Sequence, residues 1–388
     1  SRGDSSKSIT RRYVYDFGQR LCKTLEPELI ATVQDHDAAG NLAWRAPGVN
    51  LPNASCDTAS VSAAAKIFHS YDKRNRLTLT SYGDASPAVS RGYWADGKLK
   101  TLNSNGAVWD YGYNALRQPT TETLAYGGKT YTLTRNYNAN GHLASLSYPT
   151  GGPSLSYAPN ALGQPTQVGS YASSISFHPS GAVAGYTLGN GVAHSLSLNE
   201  RQLPKTLQDG TLLKNELRYD ANGNVTGISD PLQPATERSM AYDGLDRLSS
   251  ASGVWGTASY GYDAADNLTS AQVGSRSHTL GYDTRNRLAS LSGTSSVAYA
   301  YDARGNISQR GSSSYQFDLG NRLQLVNGTN AYTYDGHGRR VKHLSSDGST
   351  RIHLYSQDGQ LLWSTSSGGA RPASSTAYLH LGGKQIAE

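Results

Sequence analysis

The chain has 388 residues, with 35 basic and 29 acidic side chains spread along its length for a net charge of +6. It therefore lacks the basic block that marks a nucleic-acid or anionic-membrane arm, and no apolar run approaches the ~18 residues needed to cross a bilayer. Its 26 Tyr against 4 Phe and 1 Met suit a half-wet β-surface better than an oily core, and its aromatics argue against disorder.

Read in chain order, one unit recurs: an aromatic, an Asp, a short turn and an aliphatic. It opens as Tyr15-Asp16-Phe-Gly-Gln-Arg-Leu21 and returns as Tyr71-Asp72-Lys-Arg-Asn-Arg-Leu77. Five copies then follow in closer succession: Tyr219-Asp220-Ala-Asn-Gly223-Asn-Val225, Tyr242-Asp243-Gly-Leu-Asp-Arg-Leu248, Tyr262-Asp263-Ala-Ala-Asp-Asn-Leu268, Tyr282-Asp283-Thr-Arg-Asn-Arg-Leu288 and Tyr301-Asp302-Ala-Arg-Gly305-Asn-Ile307. The last clear copy begins at Tyr334-Asp335. Degenerate copies start at His36, Trp94, Tyr113, Tyr137, Tyr157, Phe177, Leu198, Phe317 and Tyr355. Tyr242, Tyr262 and Tyr282 lie 20 residues apart.

The physics of one unit is local. Tyr13-Val14-Tyr15, Tyr260-Gly261-Tyr262 and Tyr299-Ala300-Tyr301 alternate with period two, so both tyrosines share one face of a strand. The Asp, Asn and Gly that follow tolerate positive φ or bond nearby backbone, so the chain reverses. The aliphatic starts the next strand. One hairpin cannot bury its apolar face alone, but many in succession form a sheet that curls until inner faces meet. The expected fold is all-β: tandem hairpins in a continuous, curled antiparallel sheet, as a single domain over 1–388. Residues 47–65, rich in Ser and Ala, are expected to be an inserted loop.

No site chemistry emerges from this pattern. Asp35, His36, Asp37 and His69 have metal-ligand character, yet His36-Asp37 is a repeat copy with His in the Tyr slot. Asp263 and Asp283 resemble paired catalytic carboxylates, but turn chemistry accounts for both. The sequence holds no nucleophile elbow, phosphate loop or C-x-x-C. Tyrosines among Arg and Lys resemble a single-strand nucleic-acid platform, but they keep the repeat period. No catalytic, cofactor or metal residue is assigned, no cofactor is expected, and the chain is not read as an enzyme. Cys22 and Cys56 are too few for a disulfide framework and their state stays open.

These units resemble the YD repeats of the Rhs family, which includes bacterial polymorphic toxins, C components of insecticidal toxin complexes, wall-associated proteins and teneurins. The resemblance implies a β-ribbon spiralling into a hollow shell, complete or partial. In bacterial members such a shell encloses a toxin domain; in teneurins it serves cell-surface recognition. The family's aspartyl autoproteolysis motif has no match, since Asp230-Pro231 continues into Leu232 and Gln233. The expected function is a non-catalytic shell for a polypeptide cargo, a toxin domain above all. The alternative is an extracellular scaffold that binds proteins or carbohydrate. Expected partners are cargo, flanking segments of a longer chain, or further copies joined through sheet edges; nucleic acid and a membrane span are not expected. The expected location is outside the cell or at its surface, although the sequence shows no signal peptide.

Overall fold

Every Tyr-Asp unit closes in the same way in the computed structural model, which describes residues 2–3, 7–369 and 372–388. The Asp N–H donates to the carbonyl four residues on, and the residue three on donates back to the Asp carbonyl. In the second unit these bonds are Asp72 N to Arg76 O, 3.0 Å, and Asn75 N to Asp72 O, 2.9 Å. The residue three on is left-handed, with φ of 57° at Asn75, 96° at Gly223 and 79° at Gly305. This is a type I turn with a G1 bulge, and the strand register slips just before Tyr71 and Tyr282 accordingly. Asn, Asp and Gly recur there because they tolerate that conformation.

Because the connections are mostly tight turns, strands adjacent in sequence pair in space. Arg12–Tyr15 through Ser154–Ser156 form a 13-stranded meander, the N-terminal sheet, and Ala172–Phe177 through Ser374–Ala377 form a 21-stranded C-terminal sheet. Two small hairpins sit outside them. One pairs β1 (Arg2–Gly3) with β2 (Ser8–Ile9), and the other pairs Leu379–Leu381 with Lys384–Ala387. β3 (Arg12–Tyr15), paired with β4 (Leu21–Glu26), is the outer strand of the N-terminal sheet. Strands make up 54% of the chain, and the curled sheets do not close into a barrel.

Three expectations need correction. The sheet is not continuous: it breaks between Ser156 and Ala172. Tyr157 is followed by Ala158 and Pro159, and the turn forms only at Asn160; Pro159 and Pro165 also have no N–H for a ladder. Trp94 is not in the aromatic slot. Its N–H closes the turn onto Lys98, so it holds the Asp position and Tyr93 the aromatic one. The insertion starts later than expected, because Pro47, Gly48 and Val49 belong to the strand Leu42–Val49. Pro47 is tolerated there because the pairing with Thr32 lies at a register shift.

The irregular segment is thus 50–66, and two groups of β4 pin it. Cys22 forms a disulfide with Cys56, which settles the open state of both cysteines. Lys23 is fully buried; its Nζ donates to the carbonyls of Leu51 and Asn53 and ion-pairs with Asp57. The main core lies between the sheets, where Leu102, Trp109, Leu124 and Leu133 meet Val341, Leu354, Leu362 and Trp363. Fully burying one such aliphatic contributes roughly 1.5–3 kcal/mol.

Candidate functional site

The repeat residues do two structural jobs. In all eight clear units the Asp Oδ1 accepts the backbone N–H four residues on, at 2.9 to 3.0 Å: Asp16, Asp72, Asp220, Asp243, Asp263, Asp283, Asp302 and Asp335. In seven of them Oδ2 takes the Arg or Asn at that same position. The Arg76 bond, helped by the backbone, holds the Asp72 carboxyl at about 2, as befits a charged turn cap rather than an acid–base group.

The tyrosines act between units. In six of the eight clear units the hydroxyl donates to a carbonyl at the start of the preceding unit's second strand: Tyr71 to Leu42, Tyr219 to Pro204, Tyr242 to Val225, Tyr262 to Leu248, Tyr282 to Leu268 and Tyr301 to Leu288. Phe has no donor for this bond, which explains why Tyr fills the slot. Arg247 and Arg287 add a second link, stacking over Tyr262 and Tyr301 of the following units. Tyr334 is half-buried. Tyr15, at the sheet edge, is 58% exposed.

Asp335 departs from the pattern. Its Oδ2 accepts the indole N–H of Trp109, 2.9 Å away and wholly buried, across 226 residues of chain. Beside it Tyr111 Oη meets His337 Nε2 at 2.7 Å. Gly336 lies so close beneath Leu102 that a Cβ there would come within 2.5 Å of its Cγ. Further contacts join the sheets in order. Gln357 reaches Tyr113, Leu319 N–H donates to Ser86 Oγ, and Arg322 donates to the Pro87 carbonyl. Ala303 abuts Gly48, and Lys7 ion-pairs with Asp263 at 2.6 Å. Turns of the C-terminal sheet thus meet strands, a loop and the N-terminal hairpin of the first part of the chain, both running backward along the chain together. We call this contact the seam.

The seam also holds the most perturbed titrating groups. Burial pushes His353 down to about 4 and His337 below its ordinary range. Burial also raises Glu122, although its partner Arg135 opposes this. Glu122, Arg135, Gln357 and Asp358 line an open cleft of about 350 Å³. Arg135 already pairs with Glu122 on the neighbouring strand of the N-terminal sheet, so the pair is a cross-strand ion pair within that sheet. The residues with metal-ligand character stay apart in role. Asp37 caps its turn, the Asp35 carboxylate accepts the His36 N–H, and His69 lies beside Thr80. Among the described residues no three His, Cys, Asp or Glu side chains form a metal-binding group, and no helix is long and apolar enough to cross a membrane.

The periodic pattern finds every clear turn but not the seam. Asp335 looks like any other unit aspartate, and nothing near Trp109 in sequence marks its partner.

Comparisons with known proteins agree with this architecture. The Teneurin YD-shell family matches residues 195–364 and the RHS Repeat family matches residues 93–129. The crystal structure of TcdB2-TccC3 superposes with a TM-score of 0.76 at 15% identity, covering 96% of this chain and 23% of that one. The Tc holotoxin pore of Photorhabdus luminescens gives 0.67 at 16% identity, covering 96% and 23%. The chain therefore spans about a quarter of the length of the solved chains it matches. No curated protein matches significantly. The fold and its turns define a shell-type YD-repeat scaffold. The chain carries matches to the Teneurin YD-shell and RHS Repeat families over these two stretches and shares the fold of the toxin-complex shells.

Proposed function

We propose that this chain is a non-catalytic section of shell wall that encloses a polypeptide cargo, a toxin segment above all, and that it works outside the cell or at its surface. The observation that carries the reading is the seam, where turns of one curled sheet meet the first part of the chain through directional contacts, the buried Trp109-to-Asp335 bond above all. A wall needs such a join, because a single β-ribbon with both faces wet cannot hold a fixed curvature. Structural likeness to a Tc holotoxin supports the toxin setting. The disulfide Cys22–Cys56 supports an oxidising location. The chain acts as one domain over 1–388, with 50–66 as its insertion, because the seam couples its two ends.

Enclosure is tested by limited proteolysis of a candidate cargo, co-expressed with the full protein and compared with the same cargo free. Slower cleavage in the complex is expected; equal rates would sink the reading.

A second reading is an extracellular scaffold, in line with the Teneurin YD-shell match over 195–364 and the open edge of β3. Cargo-free protein that binds cell-surface protein or glycan with micromolar affinity would favour it.

A further inference from the structure

Five consecutive strands near the end of the C-terminal sheet carry a straight row of polar residues on one face. Tyr332 stands opposite His343, His343 opposite Arg351, Arg351 opposite Ser366, and Ser366 opposite Ser374. Residues paired in this way across antiparallel strands project to the same side. The row is therefore aromatic at one end, cationic in the middle and hydroxyl-bearing at the other. Its two ends are already organised. The Tyr332 and His343 rings stack at 4.8 Å, Arg340 lies over Tyr332 at 5.3 Å, and Ser366 Oγ meets Ser374 Oγ at 2.7 Å.

Its middle is not. His343, Arg351, Ser366 and Ser374 line, with Ser345, a cleft of about 420 Å³. His343 Nε2 is buried and has no hydrogen-bond partner. Among the described residues no carboxylate pairs with Arg340 or Arg351, whereas Arg20, Arg76, Arg247, Arg287 and Arg322 each hold an aspartate. Asp347, which also lines the cleft, caps its own turn by accepting the Ser349 N–H at 2.9 Å. The field of the two arginines reaches the row: after burial, they are what holds His343 and His353 below the ordinary histidine range.

A guanidinium offers five donors in a planar fork and no acceptor, and serine hydroxyls can turn to donate. Set around one concavity, these donors suit an oxyanion rather than a cation. The volume lies within the roughly 300–1,000 Å³ of small-molecule sites, which leaves room for the group that carries the anion. We propose that this cleft binds a sulfate or phosphate group, free or esterified to a sugar. Arg351 is its main ligand, His343 donates from Nε2, and the hydroxyls of Ser345, Ser366 and Ser374 complete the shell. The site goes beyond the enclosure reading and stands or falls apart from it.

The test is calorimetric titration of the full chain at low ionic strength. The probes are inorganic sulfate, inorganic phosphate, glucose 6-sulfate, glucose 6-phosphate and plain glucose. Saturable binding of the four anions, and none of glucose, is expected. Esters that bind more tightly than the ions assign a sugar-borne group, and equal affinity assigns the free ion. Arg351→Gln should weaken binding by about tenfold or more, through loss of a charged donor. Ser374→Asp, which sets a like charge in the row and leaves Arg351 in place, should abolish it. Arg276→Gln removes the same charge from an exposed position on another strand and should change nothing. The imidazole resonances of His343 should shift on titration with sulfate and reach a plateau. No saturable binding, or a shift confined to other histidines, overturns the proposal. So do equal losses in the Arg351 and Arg276 variants, which would mean attraction by net charge alone.

Discussion

The clamp, where strands from 99 to 155 meet those from 340 to 381, and the ribbon, the strands from 183 to 310, are made of the same repeat but are stabilised differently. The clamp buries Trp109, Leu102, Leu124 and Leu354 almost completely. Along the ribbon, strands such as Arg276–Tyr282 and Val297–Tyr301 alternate between exposed and half-buried residues. Apart from Ala258 and Ala265, no apolar residue of these ribbon strands or their turns is fully buried. What holds the ribbon is polar and local: carboxylate-capped turns, tyrosine hydroxyls reaching back one unit, and arginines over tyrosine rings. A repeat therefore specifies pairing without specifying burial, and stability concentrates where two stretches of it meet.

The largest test of that contrast is a pair of tryptophans. Trp109→Ala should cost about 3–5 kcal/mol, leaving a cavity and removing the indole donor from Asp335 Oδ2. Trp255→Ala, on the ribbon and 40% exposed, should stay within about 0.5 kcal/mol. Denaturant titration of both variants decides it, and similar losses would erase the distinction between the regions.

Acid should separate the regions next. Burial, with Arg340 and Arg351 nearby, keeps His353 neutral down to about 4 in the folded clamp, whereas the unfolded chain takes the proton near 6.5. Its contribution is therefore complete above about 6.5 and lost as pH falls toward 4. Glu122, raised by burial, works in the opposite sense, favouring the fold when protonated. On the ribbon, burial alone would raise Asp263, but bonds from Asn267, Lys7 and the backbone hold it at about 2. That contribution persists until pH drops below about 4. Hydrogen exchange followed from pH 7 downward, corrected for intrinsic rates, should show clamp amides near 353 opening before ribbon amides near 263. The reverse order would break the comparison.

Glycine at the same turn position sharpens it further. Gly336→Ala forces a Cβ into Leu102 and should cost about 1–3 kcal/mol. Gly244→Ala, with nothing within 4 Å of the new methyl, should be neutral within about 0.5 kcal/mol. The smallest effect belongs to the ribbon's own glue. Tyr262→Phe removes the bond to the Leu248 carbonyl and should cost about 1 kcal/mol, read as faster exchange in its own and the preceding unit rather than as a shift of the global midpoint.

By itself the sequence determined the unit. Tyr, Asp and an Asn, Asp or Gly three residues after the cap dictate strand, turn and register through bonds spanning four residues or one repeat, which is why the turns at Asp72, Asp243 and Asp283 lie where the pattern places them. It also carries the resemblance to YD repeats, because the same short-range code recurs along the chain. Tertiary structure alone decided the rest: the break at Pro159, the link from Cys22 to Cys56, the burial of Lys23, and the choice of Asp335 among eight equivalent aspartates to receive Trp109. Those outcomes depend on which distant surfaces meet once the sheets curl. Curvature accumulates over many hairpins, so no single unit carries the information that would predict it.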